Sequence, residues 1–248
     1  MLLGGLAVPP ALSAGTIRGR LLTSPISLHA TVTQGVAEAS VSKHPPRAGP
    51  PGDASKRVVG TRVTPGAQTP AGSELLVPQR RVKEAVVYVD RIPDKVERKL
   101  TRGHWWKREP KLPRIVQANR RFTPRVLAVA AGSRVEFANL DRVYHNAFSV
   151  SAARRFDLGK YLPGHVDTVA FDRAGVANLH CDIHPDESGF VVVLPNHAFT
   201  RPDSLGRFTL PKLPPGTYSV RAWHPRLGEL RREVTMLRRG DLTLELKY

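Results

Sequence analysis

Residues 178–190, NLHCDIHPDESGF, hold the only cysteine of the chain, Cys181, followed by His184 and then by Glu187. A thiolate and an imidazole at this spacing can share one metal ion, and a carboxylate just beyond them can reach the same ion. An ion that cycles between Cu(I) and Cu(II) is served by two imidazoles and one thiolate near a plane, with a weak axial group. The stretch supplies Cys181, His184 and, as an axial candidate, Glu187. The second imidazole must come from elsewhere, and the candidate is His145 in EFANLDRVYHNAFS. His180 neighbours Cys181, so in an extended segment it points to the other face and is no ligand to the same ion.

Strand ends are the natural place for such residues, and the surrounding sequence reads as strands. RVLAVAAGSRVEFANLD (125–141) gives a strand, a turn at Gly132–Ser133 and a second strand with alternating Val135 and Phe137. HVDTVAFDRAGVANLHC (165–181) repeats the arrangement with a turn near Gly175, and GFVVVLP (189–195) is a short closing strand. Short strands at this spacing predict a β-sandwich or barrel of under about a hundred residues. A further unit follows: GRFTLPKLPPGTYSVRAWHP, LRREVTML and DLTLELKY, with Tyr218, Val220 and Ala222 alternating after a Pro-Pro-Gly turn. It is short for an independent sandwich. GTIRGRLLTS (15–24) and EAVVYVD (84–90) also read as strands and are expected to complete it. Between them, SKHPPRAGPPGDASK (42–56) and TPGAQTPAGS (64–73) read as a flexible insertion spanning about 40–75. A basic, proline-bearing stretch covers 91–114.

Lys and Arg number 38 against 21 Asp and Glu, a formal net charge of +17. The basic residues are spread along the chain, which reads as a cationic surface able to steer an acidic protein partner. No nucleic-acid motif accompanies the charge; HWWKR (104–108) is the best stacking candidate but reads as a loop. A single cysteine excludes an internal disulfide. MLLGGLAVPPALSAG resembles the apolar end of a secretory signal with cleavage after Ser13, so residues 1–14 read as a signal remnant and the protein as periplasmic or otherwise exported. No run of 18 apolar residues occurs, so no transmembrane segment is expected. His165 and His197 lack partner patterns and read as surface residues, and His224 in AWHP reads as a turn or core-edge residue of the final unit. Ser149, His145 and Asp141 could be imagined as a hydrolytic set, but no nucleophile elbow surrounds Ser149, and no phosphate-cradling glycine motif is present. The chain is not expected to be an enzyme.

Several motifs occur in one order: F-x-P-x-V (Phe122, Pro124, Val126), V-x-F-x-N-x-D (Val135 to Asp141), HNAFS, RFDLGKY (155–161), FDRAGV (171–176) and HCDIH (180–184). In this order they resemble the cupredoxins of the plastocyanin and amicyanin type. With GRFTLPKLPPGTYSVRAWHP behind them, the chain is similar to bacterial proteins labelled methylamine utilization proteins. Those join a cupredoxin-like domain to a smaller transthyretin or carboxypeptidase-regulatory-like β-sandwich, which is non-catalytic. The resemblance covers about 115–227, extends weakly to EAVVYVD and omits 25–80. It implies an all-β fold: a Greek-key cupredoxin-like β-sandwich at 115–195, then a β unit at 196–248 completed by strands from 15–92.

The resemblance also implies one copper ion held by His145, Cys181 and His184, with Asn146 tying the two ligand loops together. Such proteins carry methionine where this chain has Glu187, and Met1 and Met236 are the only methionines. A carboxylate is a harder donor than a thioether. If it binds, it favours Cu(II) over Cu(I), lowers the potential and makes zinc a more comfortable guest. If Glu187 points to water instead, the site is three-coordinate or completed by solvent. Two functions follow: an exported copper protein in electron transfer or copper handling, or a cell-envelope interaction module with a degenerate metal site.

Overall fold

In the computed structural model, residues 14–23, 79–102, 111–238 and 240–248 are described. The signal-like residues 1–13, the Pro/Gly/Ser-rich stretches and HWWKR lie outside them. In chain order the elements are β1 (Ile17–Leu22), a 3-10 turn (Gln79–Glu84), β2 (Val86–Val89), α1 (Asp94–Thr101), β3 (Arg114–Gln117), β4 (Phe122–Thr123), β5 (Val126–Ala130) and β6 (Ser133–Asn139). They continue with β7 (His145–Ser151), β8 (Arg154–Tyr161), β9 (Val166–Phe171), β10 (Gly175–His180), β11 (Ser188–Leu194), β12 (Phe199–Thr200), β13 (Arg207–Thr209), β14 (Gly216–His224), β15 (Gly228–Met236) and β16 (Leu242–Lys247). The fold is all-β.

Strands β3 to β11 form two facing sheets, ordered β5-β11-β10-β7-β8 and β4-β3-β6-β9. Alternation explains the layering. In β6, Val135 and Phe137 point inward while Arg134 is exposed. Phe137 and Phe171 meet Ile115, Leu179 and Val191 in one core. Burying side chains of this size contributes about 1.5–3 kcal/mol each. Two pairings within these sheets are parallel, β3 with β6 and β5 with β11. The turn between β5 and β6 is made at Gly132, whose φ of 86° suits a residue without a Cβ.

Strands β1, β2 and β12 to β16 form a second pair of sheets, ordered β13-β1-β16 and β12-β2-β14-β15. β2 lies between β12 and β14, and β1 runs parallel to β16 and antiparallel to β13. Ile17, Leu21, Val87, Val89, Val220 and Leu246 share this core. The other face of β2 is covered as well: Val86 meets Val126, Val192 and Leu194, with Tyr88 packed against them. EAVVYVD is therefore apolar almost throughout because both of its faces are buried.

Gly19 marks a close approach in β1. A Cβ there would fall 2.1 Å from the Leu244 carbonyl oxygen and 2.5 Å from the Phe208 ring. Gly19→Ala is expected to cost about 2–3 kcal/mol, the upper part of the usual range for overfilling a packed site. The urea midpoint checks it, and an unchanged midpoint would mean that β1 does not sit between β13 and β16.

The basic, proline-bearing stretch 91–114, to which the sequence reading assigns no element, contains the two-turn helix α1. Val96 and Leu100, four residues apart, lie on the core of the second sandwich. No described helix is long and apolar enough to cross a membrane.

Candidate metal centre

Two antiparallel neighbours bring the distant residues together. His145 opens β7 and His180 closes β10, and the two strands pair with His180 opposite Phe148. The start of one therefore lies beside the end of the other. The β10–β11 connection, residues 181–187, then carries Cys181, His184 and Glu187 over His145. It is closed at its base by His180 opposite Ser188 and internally by the Glu187 N–H donating to the His184 carbonyl. β7 and β8 slip register between Asn146 and Phe148. His145, Asn146 and Ala147 are consecutively buried there, which a regular strand with one solvent face would not allow.

The four predicted ligands converge. One donor atom from each of His145, Cys181, His184 and Glu187 lies within 4.8 Å of all the others. The two Nδ1 atoms are 3.2 Å apart, and the Cys181 Sγ is 3.9 Å from His145 Nδ1 and 3.7 Å from His184 Nδ1. Glu187 Oε2 is 3.0 Å from His145 Nδ1 and 3.7 Å from His184 Nδ1. An ion with metal–nitrogen bonds near 2.0–2.1 Å and a metal–sulfur bond near 2.3 Å separates its donors by about 3.3–3.5 Å (N···N) and about 3.6–3.8 Å (N···S). The three distances lie inside or within about 0.1 Å of those ranges, and the donor set suits copper or zinc. His145 and the Glu187 carboxylate are wholly buried and Cys181 nearly so, whereas the His184 side chain keeps 17% of its surface exposed.

Each donor is held by further groups. The other nitrogen of His145, Nε2, is 2.8 Å from Asp141 Oδ2. Asp141 itself accepts the main-chain N–H groups of Asn119 and Arg120. Burial opposes charge on Asp141, yet those two N–H groups and the His145 ring together hold its carboxyl below the usual range. A carboxylate behind a ligating imidazole fixes the ring and its tautomer and raises its basicity. Asp141→Asn is accordingly expected to weaken metal affinity about 10–100-fold, measurable by competition with a chelator of known affinity. Burial pushes the Cys181 thiol up, against the N–H groups of Asn146, His184 and Ile183, so an incoming ion has to displace the thiol proton. Glu187 Oε1 accepts from Gln117 Nε2 at 3.0 Å.

Asn146 lies at the junction of the two ligand segments. Its main-chain N–H, not its side chain, reaches across to the Cys181 sulfur at 3.5 Å. Its side-chain Nδ2 donates to Asp157 of β8. The tie between the two ligand segments is therefore a backbone one. Glu187 does not face water; its carboxylate is turned into the cluster. Asp141, Gln117 and Asp157 were not singled out as supporting groups by sequence. Asp141, four residues before His145 and closing the V-x-F-x-N-x-D motif, carried the one usable signal.

The remaining candidates lie elsewhere. His180 stacks on Phe148 with centroids 5.7 Å apart, His165 pairs with Asp167, and His197 pairs with Glu97. His224 is buried in the second sandwich, where its Nδ1 accepts the Arg226 and Leu227 N–H groups. Met236, the only methionine among the described residues, belongs to that second core. The hydrolytic trio is not formed: the His145 nitrogens face Asp141 and Glu187, and Ser149 Oγ accepts the Ser151 N–H.

No family model and no curated protein matches the chain. Among solved structures it is similar to a Cu-containing nitrite reductase (NirK) from Thermus scotoductus SA-01, with 27% identity over 34% of this chain and a TM-score of 0.33. The chain spans 23% of the length of that reductase. It is also similar to a reduced mutant of amicyanin, at 24% identity over 33% of this chain and 81% of that one, with a TM-score of 0.32. A second reduced amicyanin mutant matches at 24% identity over 34% and 82%, with a TM-score of 0.31.

Proposed function

We propose that the protein is an exported, cupredoxin-like copper protein that holds one ion on His145, Cys181, His184 and Glu187 and serves one-electron transfer or copper handling. The observation that carries this reading is the convergence of four chemically suited donor atoms within 4.8 Å, three of them on buried residues. His145 Nδ1 and Glu187 Oε2 face each other at 3.0 Å, and a cation would take both of them together with the thiolate. When bound, copper supplies a centre that gains and loses one electron.

The chain's own residues govern that centre. Asp141 orients His145, the Asn146 N–H stabilises sulfur charge, and the packed β7–β10–β11 frame keeps the donors in place through a change of oxidation state. Cys181 and Glu187 bring two negative charges, which balance Cu(II) and leave Cu(I) with one in excess. The site therefore favours the oxidised ion and a low potential. Leu140, Val143, Tyr144 and Leu162 are exposed on the loops beside His145, with Val166 at the start of β9, and Asn139 links those loops through the Val143 and Tyr161 carbonyls. We assign this apolar rim, within a cationic surface, to docking of an acidic redox partner. In domain terms, residues 114–194 form the cupredoxin-like sandwich, set between strands of a carboxypeptidase-regulatory-like sandwich.

Titration of purified protein with Cu(II) tests the reading. One ion per chain with an intense thiolate-to-copper visible band is expected, and both are expected to be lost in His145→Ala. A colourless protein with near-zero stoichiometry for Cu and Zn would favour the interaction module instead. One zinc without copper colour would keep the site and change its metal.

A further inference from the structure

Gln117 has a place in the centre that none of the ligand roles explains. It is the last residue of β3, 1% exposed, and belongs to the sheet opposite the one that carries His145 and the ligand loop. Its Nε2 donates twice, to Glu187 Oε1 at 3.0 Å and to the Asn146 carbonyl at 3.1 Å. Its Oε1 accepts from the Tyr161 hydroxyl. A carboxylate and a carbonyl can only accept, so the NH2 end must face Glu187 and Asn146, and the oxygen must face Tyr161. Turning the amide over would set two acceptors against each other in a buried space. The amide orientation is thus fixed from both ends.

This arrangement does two things to Glu187. It occupies Oε1, leaving Oε2 alone toward the two Nδ1 atoms, at 3.0 and 3.7 Å. It also does so with a neutral donor, so the carboxylate keeps its charge for the ion, as it would not opposite a lysine or arginine. Glu187 lies at the end of a seven-residue connection between β10 and β11, and Gln117 is the group that reaches it from across the sandwich.

We propose that Gln117, steadied by Tyr161, is a positioning residue that makes Glu187 a single-oxygen donor to the ion. This rests on the metal-binding reading above. Without the amide, Glu187 is free to present both oxygens or to swing away, and the ligand field changes while the two imidazoles and the thiolate still hold the ion.

The experiment compares Cu(II)-loaded wild type, Gln117→Leu, Glu187→Ala and the double variant by visible and electron paramagnetic resonance spectra, with copper stoichiometry measured alongside. Leucine is close in volume, removes both hydrogen-bonding ends and brings no atom that copper could bind. The expected result is one copper per chain throughout. Gln117→Leu should shift the charge-transfer band and copper hyperfine splitting, and that shift should disappear when Glu187 is already alanine. An unchanged Gln117→Leu spectrum, or the same shift in both backgrounds, would overturn the proposal while leaving the metal site standing. A wild type that takes up no ion would instead overturn the metal-binding reading, and this proposal with it. Should Gln117→Leu not fold, Tyr161→Phe, which deletes one hydroxyl, is read by the same spectra in the same two backgrounds. A shift that requires Glu187 supports the proposal, and no shift overturns it.

Discussion

Cys181→Ala is expected to abolish the intense visible band of the copper-loaded protein and to lower copper affinity at least about a hundredfold. The band requires a sulfur bound to copper, and the chain has one cysteine. The affinity estimate is a lower bound: removing only a supporting partner costs about 10–100-fold, and Cys181 is a ligand carrying one of the two anionic donors. The substitution removes a single sulfur from a buried position, so the metal-free protein should lose no more than about 1 kcal/mol. Absorption, copper stoichiometry and a denaturant melt of the metal-free form separate these effects. A band that survives the substitution would place the chromophore elsewhere.

The second large effect is on the potential. Glu187→Met replaces a buried anionic oxygen by a neutral thioether, a softer donor that suits Cu(I). With Cys181 as the one remaining anion, Cu(I) no longer carries excess negative charge. The reduction potential should rise by at least about 60 mV, the equivalent of a tenfold change in relative affinity for the two oxidation states. The change has a structural cost: the Gln117 NH2 group loses its carboxylate acceptor and keeps only the Asn146 carbonyl. An unsatisfied buried donor costs about 1–3 kcal/mol, so Glu187→Met should be less stable even as its potential rises. Spectroelectrochemistry of wild type and variant measures the first effect. A potential that does not move would mean that Glu187 is no ligand.

The parts of this protein legible in its sequence are those fixed by short-range pattern. Alternation in RVEF and in TYSVRAWH gave strands because each has one face in a core, as the buried Val135, Phe137, Tyr218 and Val220 display. The four donors were legible because their types are unusual and three of them share one loop. Supporting groups were harder to read. Gln117 lies 70 residues from Glu187, and it reaches the site only because β3 pairs in parallel with β6, setting Gln117 beside Asn139. Nothing in RIVQ marks the last residue as different from a buried strand end. Asp141 figured only as the close of the V-x-F-x-N-x-D motif and in an imagined hydrolytic set, and its contact with His145 depends on a loop that folds back through Asn139. Asn146 joins the two ligand segments through its backbone, because the register slip in β7 presents its main-chain N–H to the sulfur, a detail the sequence does not carry. Helix α1 was hidden by the charge around Val96 and Leu100, two apolar residues being too few to establish a period.

X-ray absorption at the copper edge asks most directly whether an early imidazole and the late sulfur, imidazole and carboxylate bind one ion. A single sulfur scatterer together with two imidazoles and one light atom is expected, the sulfur lost in Cys181→Ala and one imidazole lost in His145→Ala. A copper shell of nitrogen and oxygen alone, unchanged by either substitution, would contradict it.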